Sequence, residues 1–400
     1  MSDPTRSAAH LRGVACLAFE ATVGLTGLVE AMHHNISRKP WILGKAEPGP
    51  ARGVTGFVYG TVRGVMRLAG SALDLALRQL EPPLGPDAPS PAREAALAAL
   101  NGVVGDHLLA TGNPLATRMH LRCSGVPLDP DRPAALVPRP GRRILVLVHG
   151  LCMNDRGWQR QGEDRAVKLA RDLGYTPLHL VYNTGLHVSR NGRQLAGALE
   201  ALVARWPVPV REIAFVAHSM GGLVARSACH YGTAAGHSWR ERLRTMVFLG
   251  TPHQGAALER AGNWITAAMD LSPYVGPLTA LGKIRSEGIT DLRHGSLLDE
   301  HWEGRDRFGT ADPPRIPVPL PSGVDCYAVA GTLAGRRDCG AIVGDGLVAV
   351  GSALGRHHDP ALDLRFPAAR RWVGEGIGHL DLLGRPEVFE RLQQWMSRPR

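Results

Sequence analysis

From residue 142 onward, short apolar runs alternate with amphipathic stretches. The run 144–148 is uninterrupted by polar residues, which is typical of a strand buried on both faces of a parallel sheet. The same patterns predict strands at 177–182, 213–217, 243–249 and 324–330, and helices at 160–173, 188–205, 221–231 and 386–396. Strands that alternate with helices of this length indicate right-handed βαβ crossovers. The sequence therefore predicts an α/β protein with a doubly wound, mostly parallel sheet.

The N-terminal part has a different pattern. Apolar residues at helical spacing predict helices at 11–34, 53–80 and 92–109. A proline-rich segment at 82–91 separates the second helix from the third, and another follows at 123–141. We therefore expect residues 1–140 to form a helical module with a linker, and residues 141–400 to form the α/β domain.

Three glycines, Gly56, Gly60 and Gly64, recur four residues apart in the second of these helices. Glycine costs about 1 kcal/mol against alanine inside a helix, so this register indicates a close approach to another helix. We favour a helix pair within the chain. The alternatives are a homodimer through the N-terminal helices and a peripheral contact with a membrane surface.

Within the α/β domain, the alternation stops between residues 256 and 320, which predicts an inserted cap or lid. Its apolar residues include Trp264, Met269 and Tyr274. These side chains either line an acyl pocket or form the core of a small helical subdomain, and the pattern favours neither.

Charge and cysteine content exclude some functions. The net charge is +10, but the basic residues are nearly all arginine and are scattered, which disfavours nucleic-acid binding and leaves a weak attraction to anionic membranes open. The six cysteines form no C-x-x-C pair, and no metal-ligand set or cofactor motif is evident. No signal peptide or apolar run of membrane-spanning length is found, so a cytoplasmic location is expected, with peripheral membrane binding as the alternative.

Residues 217–222 read Ala-His-Ser-Met-Gly-Gly and lie between a predicted strand and a predicted helix. A sharp strand-to-helix turn with small residues two before and two after a serine exposes its hydroxyl to a general base. The usual pattern has glycine at both small positions, whereas the first is Ala217 here. Ser219 is therefore the candidate nucleophile, and the competing interpretation is a serine that caps the helix.

A second motif, His149-Gly150-Leu151, ends the first buried strand. A tetrahedral oxyanion needs two backbone N–H donors, and one is expected just after the nucleophile, at Met220. The other is expected in the loop after the first strand, at Leu151. Alone, this motif is equally well explained as an ordinary glycine turn.

Together with the segment 250–255, Gly-Thr-Pro-His-Gln-Gly, these motifs resemble bacterial triacylglycerol lipases, which belong to the α/β-hydrolase superfamily. They are also similar to lecithin–cholesterol acyltransferase and to GPI-inositol-deacylase-like hydrolases. The resemblance covers residues 142–398. It implies an α/β-hydrolase fold, a lipid or small ester as substrate, no cofactor, and His149, His218 and His253 as further substrate-pocket candidates.

The family order places an acid and then a histidine after the nucleophile. The segment 344–348, Gly-Asp-Gly-Leu-Val, is similar to the family's acid loop, which favours Asp345 over Asp338. His379 lies on a glycine-rich loop just before the last helix, where the family keeps its base. The pair His357 and His358 is the alternative.

These residues predict a lipase or esterase that cleaves carboxylic esters through an acyl-enzyme. An acyltransferase, a thioesterase or a polyester depolymerase would use the same parts. The alternative from another class is a non-catalytic membrane-surface or interaction protein built on a hydrolase scaffold.

Overall fold

A computed structural model describes residues 12–13, 91–129, 131–133, 135, 137, 139–256, 286–305, 315–333 and 344–397. The chain divides into two compact units. The first comprises Met1–Ser90 with Leu108–Ala116, and the second comprises Pro91–His107 with Thr117–Arg400. In the first unit, the amide of Asn113 donates to the carbonyl oxygen of Gly13 at 3.1 Å.

The second unit is built on an eight-stranded sheet. Its strands are β1 (His120–Cys123), β2 (Val126–Pro127), β3 (Arg143–Val148), β6 (Thr176–Val181), β7 (Glu212–His218), β8 (Leu243–Leu249), β9 (Asp325–Thr332) and β10 (Arg371–Glu375), and their order across the sheet is β10-β9-β8-β7-β3-β6-β1-β2. A separate hairpin pairs β4 (Gln159–Arg160) with β5 (Glu163–Asp164). The six strands β10, β9, β8, β7, β3 and β6 are parallel to one another. Strands β1 and β2 extend the sheet in antiparallel fashion beyond β6.

Helices connect the parallel strands. The described α-helices are α1 (Pro91–Ala110), α2 (Arg165–Asp172), α3 (Val188–Arg205), α4 (Met220–Ala234), α5 (Glu287–His294), α6 (Val350–Ala353) and α7 (Pro386–Met396). Short 3-10 turns span Asp155–Trp158, Ser238–Arg242, Asp299–His301, Ala368–Arg370 and Asp381–Leu383. One helix, α1, begins in the second unit, has a non-helical residue at Val104 and ends in the first unit.

The core lies between the sheet and the helices because β3, β7 and β8 are apolar on both faces. Leu147 and Val216 pack with Leu169 of α2 and Trp395 of α7 in one buried cluster. Elsewhere, Gly192 of α3 lies against Ser227 of α4, where an added Cβ atom would approach the serine Oγ to 2.2 Å. The absence of a side chain at Gly192 thus permits close packing of these two helices.

The predicted doubly wound sheet is confirmed, and its strand order with the crossover helices is that of the α/β-hydrolase fold. The strand at 243–249 and the helices at 188–205 and 386–396 have the predicted bounds, and the remaining predicted strands differ by one or two residues at their ends. The helix predicted at 160–173 is shorter, since the hairpin of β4 and β5 takes up its first turn.

The structure describes much of the segment between α1 and β3, which includes the predicted linker. Residues 120–122 pair with β6, and residues 117–140 lie in the same compact unit as the sheet. Burial of Arg122 explains this placement, since its guanidinium contacts Glu94 of α1 and Asp155 at 3.3 and 2.9 Å. Strand β10 was also not predicted.

Parts of the expected cap and N-terminal module lie outside the described residues. Outside the described residues lie the helices expected at 11–34 and 53–80, apart from residues 12 and 13. The same holds for residues 257–285 and 306–314 of the expected cap. The described cap residues form α5 and a 3-10 turn. Of the helices that the structure describes, none has the length and apolar character needed to cross a bilayer.

Candidate active site

Ser219 occupies a sharp turn between β7 and α4. Its backbone has φ 53° and ψ −126°, a conformation that L residues rarely adopt. The turn is tied to the neighbouring strand because the Ser219 N–H donates to the carbonyl oxygen of Leu249 at 2.9 Å. This strained backbone at the carboxyl edge of the sheet matches the geometry expected of a nucleophile elbow.

Two glycines permit the chain to pack tightly around this turn. A Cβ atom added at Gly221 would lie 2.5 Å from the carbonyl oxygen of Val148, so the start of α4 touches the end of β3. A Cβ atom added at Gly150 would lie 3.0 Å from Ser219 Cβ. The loop after β3 and the turn at Ser219 are therefore in direct contact.

Asp345 and His379 form a buried pair. The Nδ1 atom of His379 lies 2.7 Å from Asp345 Oδ2, and the two side chains are 5% and 0% exposed. The other carboxylate oxygen accepts the backbone N–H groups of Leu347 and Val348 at 3.0 and 2.8 Å. The backbone N–H of His379 also donates to the carbonyl oxygen of Asp345 at 2.9 Å. Four hydrogen bonds thus fix the orientation of the imidazole.

His218 connects this pair to the turn at Ser219. Its Nε2–H donates to the carbonyl oxygen of His379 at 3.0 Å, and the centroids of the two imidazole rings lie 4.6 Å apart. Burial is the main cause that keeps the pKa of His218 well below its usual value, so the ring is neutral and has one N–H to donate. The residue before the candidate nucleophile therefore holds the loop of the candidate base.

The two candidate oxyanion donors lie on either side of the contact between β3 and α4. Leu151 is buried in the loop after β3, and Met220 is the first residue of α4. Neither backbone N–H forms a hydrogen bond with another described residue. The next amide, that of Cys152, is already used because it donates to Thr184 Oγ1 at 3.2 Å.

His149 supports this loop from the side. Its Nδ1–H donates to the carbonyl oxygen of Gly150 at 2.9 Å, and its ring stacks on Tyr182 at 4.5 Å between centroids. The Tyr182 hydroxyl donates to the His149 carbonyl oxygen at 2.8 Å. Burial lowers the pKa of His149 to about 4, so a neutral ring is expected at neutral pH.

His253 does not join the Asp345–His379 pair. It packs edge-on against Phe248 and tilted against Phe366, and its Nδ1 atom lies 3.3 Å from Arg226 Nη1. The rings of the alternative bases, His357 and His358, contact each other at 4.1 Å between centroids.

Four candidate residues, Asp338, Trp264, Met269 and Tyr274, lie outside the described residues. Sequence reasoning did not find the contact from His218 to the His379 carbonyl or the stacking of Tyr182 on His149. Within the described ranges, no group of three or more potential ligands is arranged to hold a metal ion.

Residues 124–281 match a family model described as a domain of unknown function (DUF7379). No curated protein matches the chain. Among solved structures, the chain is similar to the Bacillus licheniformis lipase BlEst2 in mature form, with 18% identity, a TM-score of 0.43, and 70% of this chain and 98% of that one covered.

The chain is also similar to the Pyrococcus furiosus esterase Pf2001, with 14% identity, a TM-score of 0.38, and 64% and 83% of the two chains covered. The Legionella pneumophila phospholipase PlaB matches with 18% identity, a TM-score of 0.33, and 53% of this chain and 44% of that one covered.

Proposed function

We propose that the protein is a serine hydrolase that cleaves carboxylic esters, with Ser219 as nucleophile, His379 as general base and Asp345 as the acid that orients it. The observation that carries this proposal is the buried contact of 2.7 Å between His379 Nδ1 and Asp345 Oδ2. His218, which precedes Ser219 in the strained turn, donates to the His379 carbonyl oxygen. A carboxylate that accepts the Nδ1–H leaves the Nε2 lone pair of the imidazole available as a base.

In the first half of the reaction, Ser219 Oγ attacks the ester carbonyl carbon while His379 Nε2 takes the hydroxyl proton. The negative charge that develops on the carbonyl oxygen is stabilised by the N–H groups of Leu151 and Met220. The lack of another acceptor for these two N–H groups among the described residues supports this role. Collapse of the tetrahedral intermediate breaks the ester C–O bond, and the leaving alkoxide takes the proton from His379.

In the second half, water replaces the alcohol. His379 accepts a proton from the water, whose oxygen attacks the acyl carbon, and the same N–H groups stabilise the second oxyanion. Collapse releases a carboxylic acid and returns the proton to Ser219 Oγ. Asp345 does not itself take the proton, and it stabilises the imidazolium that forms in each half.

The proposal is tested by hydrolysis of p-nitrophenyl esters with acyl chains of two to sixteen carbons. Ser219→Ala and His379→Ala are each expected to lower kcat by about 10⁴-fold or more, because the triad acts as a unit. Asp345→Asn is expected to lose about 10⁴-fold, because an amide that donates to Nδ1 favours the wrong imidazole tautomer. The chain-length profile separates an esterase from a lipase.

A matched control uses His230→Ala, an exposed histidine on α4 whose loss should leave kcat unchanged. Labelling with a fluorophosphonate gives an independent readout, since it requires an activated serine but no particular acyl chain. Labelling that persists in Ser219→Ala would overturn the assignment of the nucleophile. Wild-type protein that is labelled but hydrolyses no ester would refute water as the acyl acceptor and point to an acyltransferase.

A further inference from the structure

Helix α1 lies against the loop that carries the proposed oxyanion donor Leu151. At Gly102, an added Cβ atom would lie 2.3 Å from Cys152 Sγ and 3.0 Å from both the N and the Cα atom of Cys152. The backbone of α1 therefore directly contacts the residue that follows Leu151. A side chain at residue 102 would push on this loop, and the glycine leaves the space that the loop occupies.

Cys152 has a backbone conformation that L residues rarely adopt, with φ 58°. Its N–H donates to Thr184 Oγ1 at 3.2 Å, and its Sγ atom lies 3.8 Å from the carbonyl oxygen of Ala99 in α1. Burial raises the pKa of Cys152 to about 12, so the sulfur keeps its proton and can donate it to this carbonyl oxygen. A conformation of this kind persists only where the surroundings hold it, and here α1 and Thr184 both do so.

The loop after β6, which carries Thr184, is packed on the same turn of α1. The side-chain amide of Asn183 donates to the carbonyl oxygen of Gly105 at 2.9 Å and accepts from the N–H of Gly185 at 3.0 Å. An added Cβ atom at Gly185 would lie 2.8 Å from the backbone nitrogen of Gly105. Helix α1 therefore contacts both of the loops that the hydrogen bond between Cys152 and Thr184 joins.

These contacts fix the orientation of the Leu151 N–H. In a trans peptide group the N–H and the carbonyl oxygen point in opposite directions, and the oxygen opposite the Leu151 N–H is that of Gly150, which accepts from His149. The next peptide group carries the Cys152 N–H, which Thr184 holds. Because only two soft dihedral angles separate these two peptide groups, a displacement of Cys152 would turn the Leu151 N–H away from its direction.

We propose that Cys152 is a positioning residue that directs the Leu151 N–H at the oxyanion, and that Gly102 of α1 and Thr184 hold it in place. This role rests on the proposed ester hydrolysis, in which Leu151 is one of two oxyanion donors. Such a donor must lie about 2.7–3.1 Å from the oxyanion, and the loss of one donor costs about 10²- to 10³-fold in kcat. A displacement of Cys152 should therefore slow the chemical step and leave substrate binding nearly unchanged.

The test compares kcat and KM for p-nitrophenyl butyrate with the inhibition constant of a trifluoromethyl ketone that carries the same acyl chain. Ser219 Oγ adds to the carbonyl carbon of the ketone, the hydroxyl proton passes to His379 Nε2, and the carbonyl oxygen becomes an oxyanion. The inhibition constant therefore reports how well the oxyanion is stabilised. A variant with fewer folded molecules would lower the apparent kcat alone, because its folded molecules would bind the ketone as tightly as wild type.

The first pair of variants changes the acceptor of the Cys152 N–H. Thr184→Val removes this acceptor and keeps the size of the side chain. It is expected to lower kcat by about tenfold and to weaken the inhibition constant by the same factor, a part of the loss expected for a whole donor. Thr184→Ser retains a hydroxyl and should restore most of both quantities. The KM should stay within about threefold of wild type in both variants.

The second set of variants changes the contact with α1. The Cβ atom of Gly102→Ala would displace Cys152 and should lower kcat and weaken ketone binding by about tenfold or more. Cys152→Ala removes the sulfur atom at 2.3 Å, so the double variant should recover part of this loss. Gly197→Ala is the matched control, since this glycine of α3 has open space around it, and should leave both quantities unchanged.

The same measurements separate a failure of this role from a failure of ester hydrolysis. If wild type hydrolyses the ester and Ser219→Ala does not, but Thr184→Val and Gly102→Ala keep the wild-type kcat and inhibition constant, the role of Cys152 alone is overturned. It is also overturned if both variants lower kcat without weakening ketone binding, because the contacts would then serve only the stability of the fold. A wild type that neither hydrolyses the ester nor binds the ketone would overturn the proposed function and this role with it.

Discussion

Replacement of Ser219 by glycine is expected to give a more stable protein than replacement by alanine. The reason is the backbone of Ser219, at φ 53° and ψ −126°, which glycine enters without steric cost and alanine does not. At ordinary positions the order is reversed, because glycine is less stable than alanine by roughly 0.5–1 kcal/mol in a helix or strand. The sign of the difference is therefore diagnostic of strain.

The magnitude follows from two opposing contributions. A residue held in a sparsely populated backbone region costs about 1–3 kcal/mol, which glycine avoids. Glycine also makes the unfolded chain more flexible, which costs about 0.4–1 kcal/mol relative to alanine. The middle of these ranges leaves the glycine variant more stable by about 1 kcal/mol.

The assay is equilibrium unfolding in urea, monitored by tryptophan fluorescence, for Ser219→Gly and Ser219→Ala. Both variants lack the nucleophile, so turnover does not influence the comparison. A difference of about 1 kcal/mol should appear as a shift of the midpoint without a change of slope.

Ser397 supplies the control. It has an ordinary backbone, at φ −83° and ψ −11°, and its hydroxyl donates to the carbonyl oxygen of Gln393. The alanine and glycine variants both lose this hydrogen bond, so alanine should be the more stable there. Suppose that Ser219→Gly is less stable than Ser219→Ala, by the same amount as Ser397→Gly is less stable than Ser397→Ala. The turn would then store no strain, and the reasoning would be refuted.

Three further predictions concern the residues around this turn. His218→Leu removes the donor to the His379 carbonyl and should lower kcat about tenfold with little change in KM. His218→Gln, which keeps an N–H donor, should retain most of the activity. Equal losses of kcat in the two variants would contradict a positioning role. Gly250→Ala should lower the rate of ester hydrolysis, because its Cβ atom would lie 3.1 Å from His379 Nδ1 and the imidazole would have to shift by a few tenths of an ångström. Gly236→Ala, also at positive φ but with open space around it, should lose only stability. Burial lowers the pKa of His149 to about 4, so between about pH 6.5 and 4 the unfolded chain binds more protons than the folded protein. The free energy of unfolding should therefore fall by up to about 3 kcal/mol as the pH is lowered across that window. Urea unfolding of His149→Gln should show a weaker fall, and an equal fall would exclude His149 as its source.

The parallel core of the sheet was predictable because its strands are buried on both faces. In runs such as 144–148 and 243–249, the succession of apolar residues alone is enough to identify a buried strand. The turn at Ser219 was predictable for a similar reason, since a serine between small residues and a helix is a local pattern. The resemblance supplied the order of the remaining candidate residues.

The features that the sequence did not predict depend on distant partners. Strand β1 contains Arg122, which is buried only because Glu94 and Asp155 accept its guanidinium, and no local pattern shows this pairing. Strand β10 is half polar and pairs only with β9, at the edge of the described sheet.

In the proposed mechanism a histidine connects the acid to the serine, and the order of the strands sets the distance between the two chains. Ser219 follows β7 and Asp345 follows β9, so two strand spacings, about 10 Å, separate their chains. Between them β8 ends at Gly250, which has φ 57° and no side chain. Asp345 Oδ2 and His379 Nδ1 occupy this gap, within 3.0 and 3.1 Å of the Cβ atom that another residue would carry. A side chain at this position would force the imidazole or the carboxylate to shift by a few tenths of an ångström, so the glycine after β8 leaves the space that the pair occupies.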